Sequence, residues 1–136
     1  MDKEPEIKKA TGVKRIINAV GYSIEGIAAA LRHEAAFRQE TILAMVLTPL
    51  ALWLPFPPVL QLLLIFGLFF VMIVELLNSG LEWVVDYISL ERHPMAKRAK
   101  DMASAAVFLS IINSIILWTG AIYAYWTPIL QQFGQN

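Results

Sequence analysis

Hydrophobic residues near the start of the chain recur at steps of three and four positions. From Val13 to Leu31 they fall on one face of a helix, and most positions between them are polar or charged. The apolar set comprises Ile16, Ile17, Val20, Ile24, Ile27, Ala28 and Leu31. This period predicts an amphipathic helix, which can lie flat on a membrane surface.

Two long stretches without a charged residue follow, residues 41–74 and residues 102–136. Each is about 34 residues long, more than the roughly 20 that cross the hydrocarbon core of a bilayer. Pro55, Pro57 and Pro58 interrupt the first stretch, and proline cannot continue the interior of a helix. The first stretch is therefore predicted to be a helical hairpin, with Pro49 as a possible kink in its first arm.

The predicted fold is an all-α membrane protein with a surface helix and three transmembrane helices. The spans are predicted at about 35–54, 59–81 and 102–126. The second helix is expected to continue to about Tyr87, and the third to start near Met95 and stop at Pro128. This divides the chain into an N-terminal segment, residues 1–33, and a membrane domain, residues 34–136.

The positive charges predict an orientation in the membrane. All 11 lysines and arginines lie at positions up to Arg38 or between Arg92 and Lys100. Because positive residues are retained on the cytoplasmic side, the N-terminus and the second loop are predicted to be cytoplasmic. Three spans then place the C-terminus outside.

Composition supports the membrane assignment and excludes several kinds of site. The chain is 57% hydrophobic and 16% charged, with no net charge and no cysteine. Disulfides and thiolate chemistry are thus excluded, and nothing suggests a nucleic-acid partner, which would require a basic face. The glycines form no Walker loop. The first 30 or so residues lack a continuous apolar segment, so we expect no cleaved signal peptide.

One polar stripe interrupts the second predicted span. Glu75, Asn78, Glu82 and Asp86 follow one another at helical spacing, so they share a helix face. A carboxylate at membrane depth is costly unless it is paired or protonated, which makes Glu75 a functional candidate and suits it to act as a general base for an alcohol. The alternative is a structural stripe that hydrogen-bonds neighbouring helices.

Two further charged clusters lie near the predicted cytoplasmic surface. Glu34 and Glu40 flank Arg38 at the start of the first span, and Glu34 together with Glu82 would suit a magnesium ion carried on nucleotide phosphates. Residues 97–102 (KRAKDM) open the third helix. Their cations either neutralise phosphates or only set the orientation of the chain.

Three groups of residues occur in a characteristic order. They are residues 34–40 (EAAFRQE), residues 74–86 (VELLNSGLEWVVD) and residues 98–107 (RAKDMASAAV). Together they resemble the prokaryotic integral-membrane diacylglycerol kinases, from about Gly12 to Val107 and more weakly into the third span. Ile24, Lys97 and Ala103 depart from the family pattern but leave the acidic residues unchanged.

The resemblance implies a homotrimer in a bacterial inner membrane, with composite active sites at the cytoplasmic interface. Each site would transfer the γ-phosphate of ATP, carried with Mg²⁺, to diacylglycerol and so make phosphatidic acid. The implied catalytic residues are Glu75, as the base, and Asn78, and the implied metal ligands are Glu34 and Glu82. The implied ATP-binding residues are Tyr22, Glu34, Glu82, Glu91, Arg92, His93, Lys100 and Asp101. The implied lipid-substrate residues are Arg15, Ser23, Glu40, Glu75 and Ser104.

Other functions fit parts of the same pattern. A sister enzyme that phosphorylates undecaprenol shares the motifs of the second and third helices, although residues 34–40 favour the diacylglycerol branch. A small proton-coupled transporter would use Glu75 as a proton site. A structural helper subunit would use Glu75 and Asn78 only to hold helices together.

Overall fold

The computed structural model describes residues 12–88 and 93–134 of the chain. Every regular element in these ranges is a helix, which confirms the all-α prediction for this part of the protein. The helices are α1 (Val13–His33), α2 (Ala35–Trp53), α3 (Pro58–Ile88), α4 (Pro94–Ala124) and α5 (Trp126–Gly134).

The predicted amphipathic helix is α1, and it packs only lightly against the other helices. Ala30 is its one buried residue, whereas Ile16, Ile17 and Ile24 are exposed. The apolar face of α1 is therefore left uncovered by the rest of the described chain. A helix of this kind needs another apolar environment for that face.

The predicted hairpin is confirmed, with its turn at the prolines. α2 ends at Trp53 and α3 begins with Pro58, a first helical position that proline favours because no N–H is needed there. The Gln61 side-chain amide donates to the carbonyl oxygens of Leu52 and Leu54, at 3.2 and 3.4 Å, and so closes the turn. Pro49 lies inside α2, which continues through it.

α3 is the central helix, packed most extensively against α4 and also against α2. Gly67 of α3 faces Ser114 and Leu117 of α4. A Cβ atom at Gly67 would lie 3.1 Å from Leu117 Cδ1 and 3.5 Å from Ser114 Oγ. The small residue thus allows the two helices to approach closely, as is common for helices packed in membranes.

The hydrophobic core lies at the hairpin end of the helices. Its buried members are Ala51, Leu54, Phe56, Leu64, Ala121 and Ile129. They come from α2, the turn, α3, α4 and α5, so this cluster joins four helices. Phe56 also meets Tyr125 edge to face, with ring centroids 5.6 Å apart.

The predicted end of the third helix at Pro128 is wrong. α4 ends at Ala124, four residues before Pro128, because the proline ring conflicts with the carbonyl of that residue. A separate helix, α5, begins at Trp126 and holds Pro128 in its first turn, where proline is tolerated. Gln132 of α5 donates to the Trp53 carbonyl oxygen at 3.3 Å, and Phe133 packs against the Trp53 ring.

Two helices in the described ranges, α3 and α4, are long and apolar enough to cross a membrane. α2 is not one of them, and its first turns carry Arg38, Gln39 and Glu40. The structure therefore supports two of the three predicted spans.

We expect Ile129→Ala to destabilise the protein by about 2 kcal/mol, the lower end of the cost of truncating a buried aliphatic residue. Ile129 is 9% exposed within the core, whereas its neighbour Leu130 is 52% exposed. Leu130→Ala is thus a matched control that should change stability little. Denaturant titration in detergent micelles measures both, and equal losses in the two variants would show that α5 is not anchored through Ile129.

Candidate active site

The polar stripe lies on the second half of α3 and becomes more exposed along its length. Glu75 is 5% exposed and Asn78 is 9% exposed. Glu82 is half-buried and Asp86 is exposed. The helix spacing therefore directs the first two polar side chains into the protein, as expected for a site and not for a lipid-facing surface.

Acidic side chains from three parts of the fold converge on Glu75. Glu34 and Glu82 lie close enough to interact electrostatically with the Glu75 carboxylate, and Glu75 acts in the same way on Glu40. Glu34 stands between α1 and α2, Glu40 is on α2, and the other two are on α3. Like charges held together in a poorly hydrated place repel, so this cluster suits a proton, a cation or another positive partner.

Two oxygen atoms in this region are buried without a hydrogen-bond partner in the described part of the chain. They are Asn78 Oδ1 and Glu40 Oε2. The Asn78 side-chain amide donates to Glu82 Oε1 at 3.4 Å, which turns the orphaned Oδ1 away from that bond. A buried acceptor without a partner is costly, which makes it a good candidate for a ligand contact.

Glu34 is the residue at which the chain turns from α1 into α2. Its backbone is extended, with φ −103° and ψ 113°, and its Oε1 accepts a hydrogen bond from Trp83 Nε1 at 2.9 Å. The Trp83 ring also meets His33 edge to face, with centroids 6.1 Å apart. The junction is thereby attached to α3 one residue beyond Glu82.

Two lysines of the basic cluster on α4 form ion pairs. Lys100 Nζ contacts both carboxylate oxygens of Asp86, at 3.0 and 3.2 Å. Asp101 pairs with Lys97 one helical turn earlier. Lys100 is thus held against the outer end of the polar stripe, whereas Asp101 is exposed on another side of α4.

The remaining predicted site residues are placed less centrally. Arg15, Tyr22 and Ser104 are exposed, and their side chains make no hydrogen bond to another described residue. Ser23 donates to the Ala19 carbonyl oxygen at 2.9 Å. His93 caps α4 by accepting from the Met95 backbone N–H at 3.2 Å. Glu91 and Arg92 lie outside the described residues.

A groove of about 740 Å³ separates α1 from the second half of α3. Most of its surface is apolar, and Glu34 and Ser79 lie among its polar residues. It is lined by Ser23, Gly26, Ile27, Ala29, Ala30, His33, Glu34, Leu76, Ser79, Gly80 and Trp83. An apolar groove that ends at a carboxylate suits a molecule with an apolar body and a polar head.

The chain matches the family model of prokaryotic diacylglycerol kinases over residues 21–122, which is most of its length. The chain belongs to this family. The resemblance inferred from the three motifs is therefore confirmed.

Curated relatives agree with the family match. A diacylglycerol kinase of Pseudomonas aeruginosa is 50% identical over 111 residues, which cover 82% of this chain and 90% of the relative. One of Escherichia coli strain K12 is 49% identical over 108 residues, 79% of this chain and 88% of the relative. One of Haemophilus influenzae is 42% identical over 115 residues, 85% and 98%. With the two apolar helices, these relatives identify a membrane protein and a kinase.

Sequence reasoning missed two parts of this diacylglycerol kinase-like site. No part in the site was predicted for Trp83, yet its indole N–H contacts Glu34. Asp86 was placed in the polar stripe but not paired with Lys100. Both contacts join residues that lie apart along the chain. The one available signal was that Trp83 directly follows Glu82 and that Asp86 lies four residues after it.

Proposed function

We propose that this protein is an ATP-dependent membrane lipid kinase that phosphorylates diacylglycerol to phosphatidic acid. The observation that carries the proposal is the buried Glu75 carboxylate, surrounded by acids from three parts of the fold. The named activity of its relatives supports the same reaction. The apolar groove beside Glu34 supports a lipid acceptor.

Glu75 is proposed as the general base. It would take the proton of the lipid hydroxyl as that oxygen attacks the γ-phosphorus of ATP, and the bond from phosphorus to the bridging oxygen of ADP breaks. Phosphoryl transfer depends mainly on holding the two oxygen atoms in line and neutralising charge. Lys100, held by Asp86 at the outer end of the stripe, is the cation best placed to offset phosphate charge.

The residues of this site fit a magnesium ion that arrives with the nucleotide. Mg²⁺ prefers oxygen ligands and commonly takes one or two carboxylates together with substrate phosphates. Glu34 and Glu82 supply carboxylates, and Asn78 Oδ1 is a buried oxygen without a partner in the described chain. In residues 12–88 and 93–134 no group of three or more acidic or histidine side chains is placed to hold a metal ion, so oxygen atoms of the nucleotide phosphates would have to supply further ligands. When bound, the ion would neutralise phosphate charge.

The groove between α1 and α3 is proposed as the entry for the lipid. Its walls are small or apolar, with Gly26, Ala29 and Gly80 leaving space, and its polar end is formed by His33 and Glu34. Ser23 of α1 also lines this groove. The shape therefore suits an acceptor whose hydroxyl must reach the carboxylates while its chains stay in an apolar setting.

We also propose three spans, with α2 as the third, and a homotrimer in a bacterial inner membrane. The N-terminus would be cytoplasmic and the C-terminus outside, following the lysine and arginine distribution. Apolar residues exposed on α2 support the span, and they include Ile42, Leu43, Met45 and Val46. Either lipid or another copy of the chain must cover such a surface.

The purified protein in mixed micelles should transfer label from γ-³²P-ATP to dioleoylglycerol, with clear preference over undecaprenol. The lipid product is separated and counted after each reaction. A preference for undecaprenol would show that the acceptor is the polyprenol and not diacylglycerol. The absence of phosphorylation with both lipids would reject the kinase and favour a transport or structural role for Glu75.

Glu75→Gln should lower turnover at least about 100-fold, the usual contribution of a general base, while ATP binding is kept. The amide preserves size and hydrogen bonding but cannot accept the hydroxyl proton. Glu25→Gln, an exposed acid on α1, is the matched control and should keep wild-type turnover. Wild-type rates in Glu75→Gln would remove this residue from the role of base.

Glu82→Gln and Glu34→Gln should each raise the Mg²⁺ concentration that gives half-maximal activity, by about tenfold or more. Each change removes one charged oxygen from the proposed ion site. Titration of activity with Mg²⁺ at fixed ATP measures the shift, again with Glu25→Gln as control. Metal curves that superimpose on wild type would show that these carboxylates do not hold the ion.

A further inference from the structure

Glu34 lies at a position where the helix backbone does not direct its side chain. It follows the last residue of α1 and precedes the first residue of α2, and its own backbone is extended. A carboxylate at such a junction can point in several directions unless other groups restrain it. Side-chain contacts from outside the junction must therefore hold Glu34 near Glu75 and Glu82.

The structure supplies two restraints at this junction. Arg38 of α2 donates through Nη1 to the carbonyl oxygens of Leu31 and Arg32, at 3.3 and 3.1 Å, and so caps the end of α1. Trp83 of α3 donates from Nε1 to Glu34 Oε1 at 2.9 Å. Arg38 fixes the angle between the two helices, whereas Trp83 acts on the Glu34 carboxylate itself.

We infer that Trp83 is a positioning residue for the phosphoryl transfer, which it serves by fixing the Glu34 carboxylate toward the magnesium-bound nucleotide. This inference rests on the proposed function. A carboxylate offers about four lone-pair sites, so a bond from the indole to Oε1 leaves capacity for a cation. Hydrogen-bonded partners of this kind set the orientation of carboxylates that bind metals.

The surroundings of Trp83 favour this role over one in packing. Its side chain is 62% exposed, so it buries little apolar area compared with the core residues. Its specific contacts are the hydrogen bond to Glu34 and the edge contact with His33, the residue before it. Both contacts are directed at the α1–α2 junction.

The test compares cation binding in wild type and in Trp83→Phe, which removes the N–H donor but keeps an aromatic ring beside His33. Binding of Mn²⁺ together with AMP-PCP, a non-hydrolysable ATP analogue, is followed by electron paramagnetic resonance. We expect Mn²⁺ affinity to fall about tenfold. Trp126→Phe, a change of a similarly exposed tryptophan at the other end of the molecule, should leave Mn²⁺ affinity unchanged.

A double-mutant cycle shows whether the effect passes through Glu34. In a Glu34→Gln background, Trp83→Phe should cause no further loss of Mn²⁺ affinity. Full additivity of the two losses, or wild-type affinity in Trp83→Phe alone, would overturn the inference.

Two further measurements keep the result interpretable. If Trp83→Phe does not fold, the indole N–H resonance of Trp83 in ¹⁵N-labelled wild type should still shift when Mg²⁺ and AMP-PCP are added, and an unchanged resonance overturns the inference. Phosphorylation of diacylglycerol by wild type is assayed in the same preparations. Its absence contradicts the proposed function, whereas an active wild type with unaltered Mn²⁺ binding in the folded variant contradicts only the role of Trp83.

Discussion

Burial of the Glu75 carboxylate at the start of the polar stripe of α3 is the main physical constraint on this structure. Removing a charged carboxylate from water costs several kcal/mol unless the group is paired with a cation or protonated. The charged groups of the described residues that act on Glu75, Glu82 and Glu34, are also acids, which raises that cost further. A fold that retains such an arrangement must compensate for it elsewhere, and the partners that would relieve it are a transferable proton and the cations that accompany a nucleotide.

The α1–α2 junction brings those acids together. If α1 and α2 formed one continuous helix, the helical period of about 3.6 residues would set the direction of the Glu34 side chain. Because the helix is broken at Glu34, contacts from Arg38 and Trp83 fix the junction instead. The same break leaves α1 free to lie across α3 and to form the apolar groove. One irregular residue thus contributes to both the polar site and the adjoining lipid-sized space.

Local patterns in the sequence predicted most of the helices. The period of Val13 to Leu31 identified α1, the prolines at 55 to 58 placed the hairpin turn, and the uncharged stretches identified α3 and α4. α5 could not be predicted because a proline such as Pro128 is found both after the end of one helix and in the first turn of another. The contact between Trp83 and Glu34 joins residues 49 positions apart, and no periodic signal connects such positions. The same reason hid the pairing of Lys100 with Asp86, whereas the stripe of Glu75, Asn78 and Glu82 was visible because it lies on one helix.

One end of α3 belongs to the hydrophobic core and the other end carries the buried acids. This separation explains how the protein tolerates the cost of burying those acids. The core residue Leu64 lies 11 positions before Glu75, roughly 16 Å along a helix axis at 1.5 Å per residue. At the Leu64 end, four helices and the proline turn share one buried cluster, and α5 adds Ile129 to it. At the Glu75 end, α1 packs only lightly against α2 and α3. Because α3 is one continuous helix, the packing at the first end also helps to hold the acids of the second end in place.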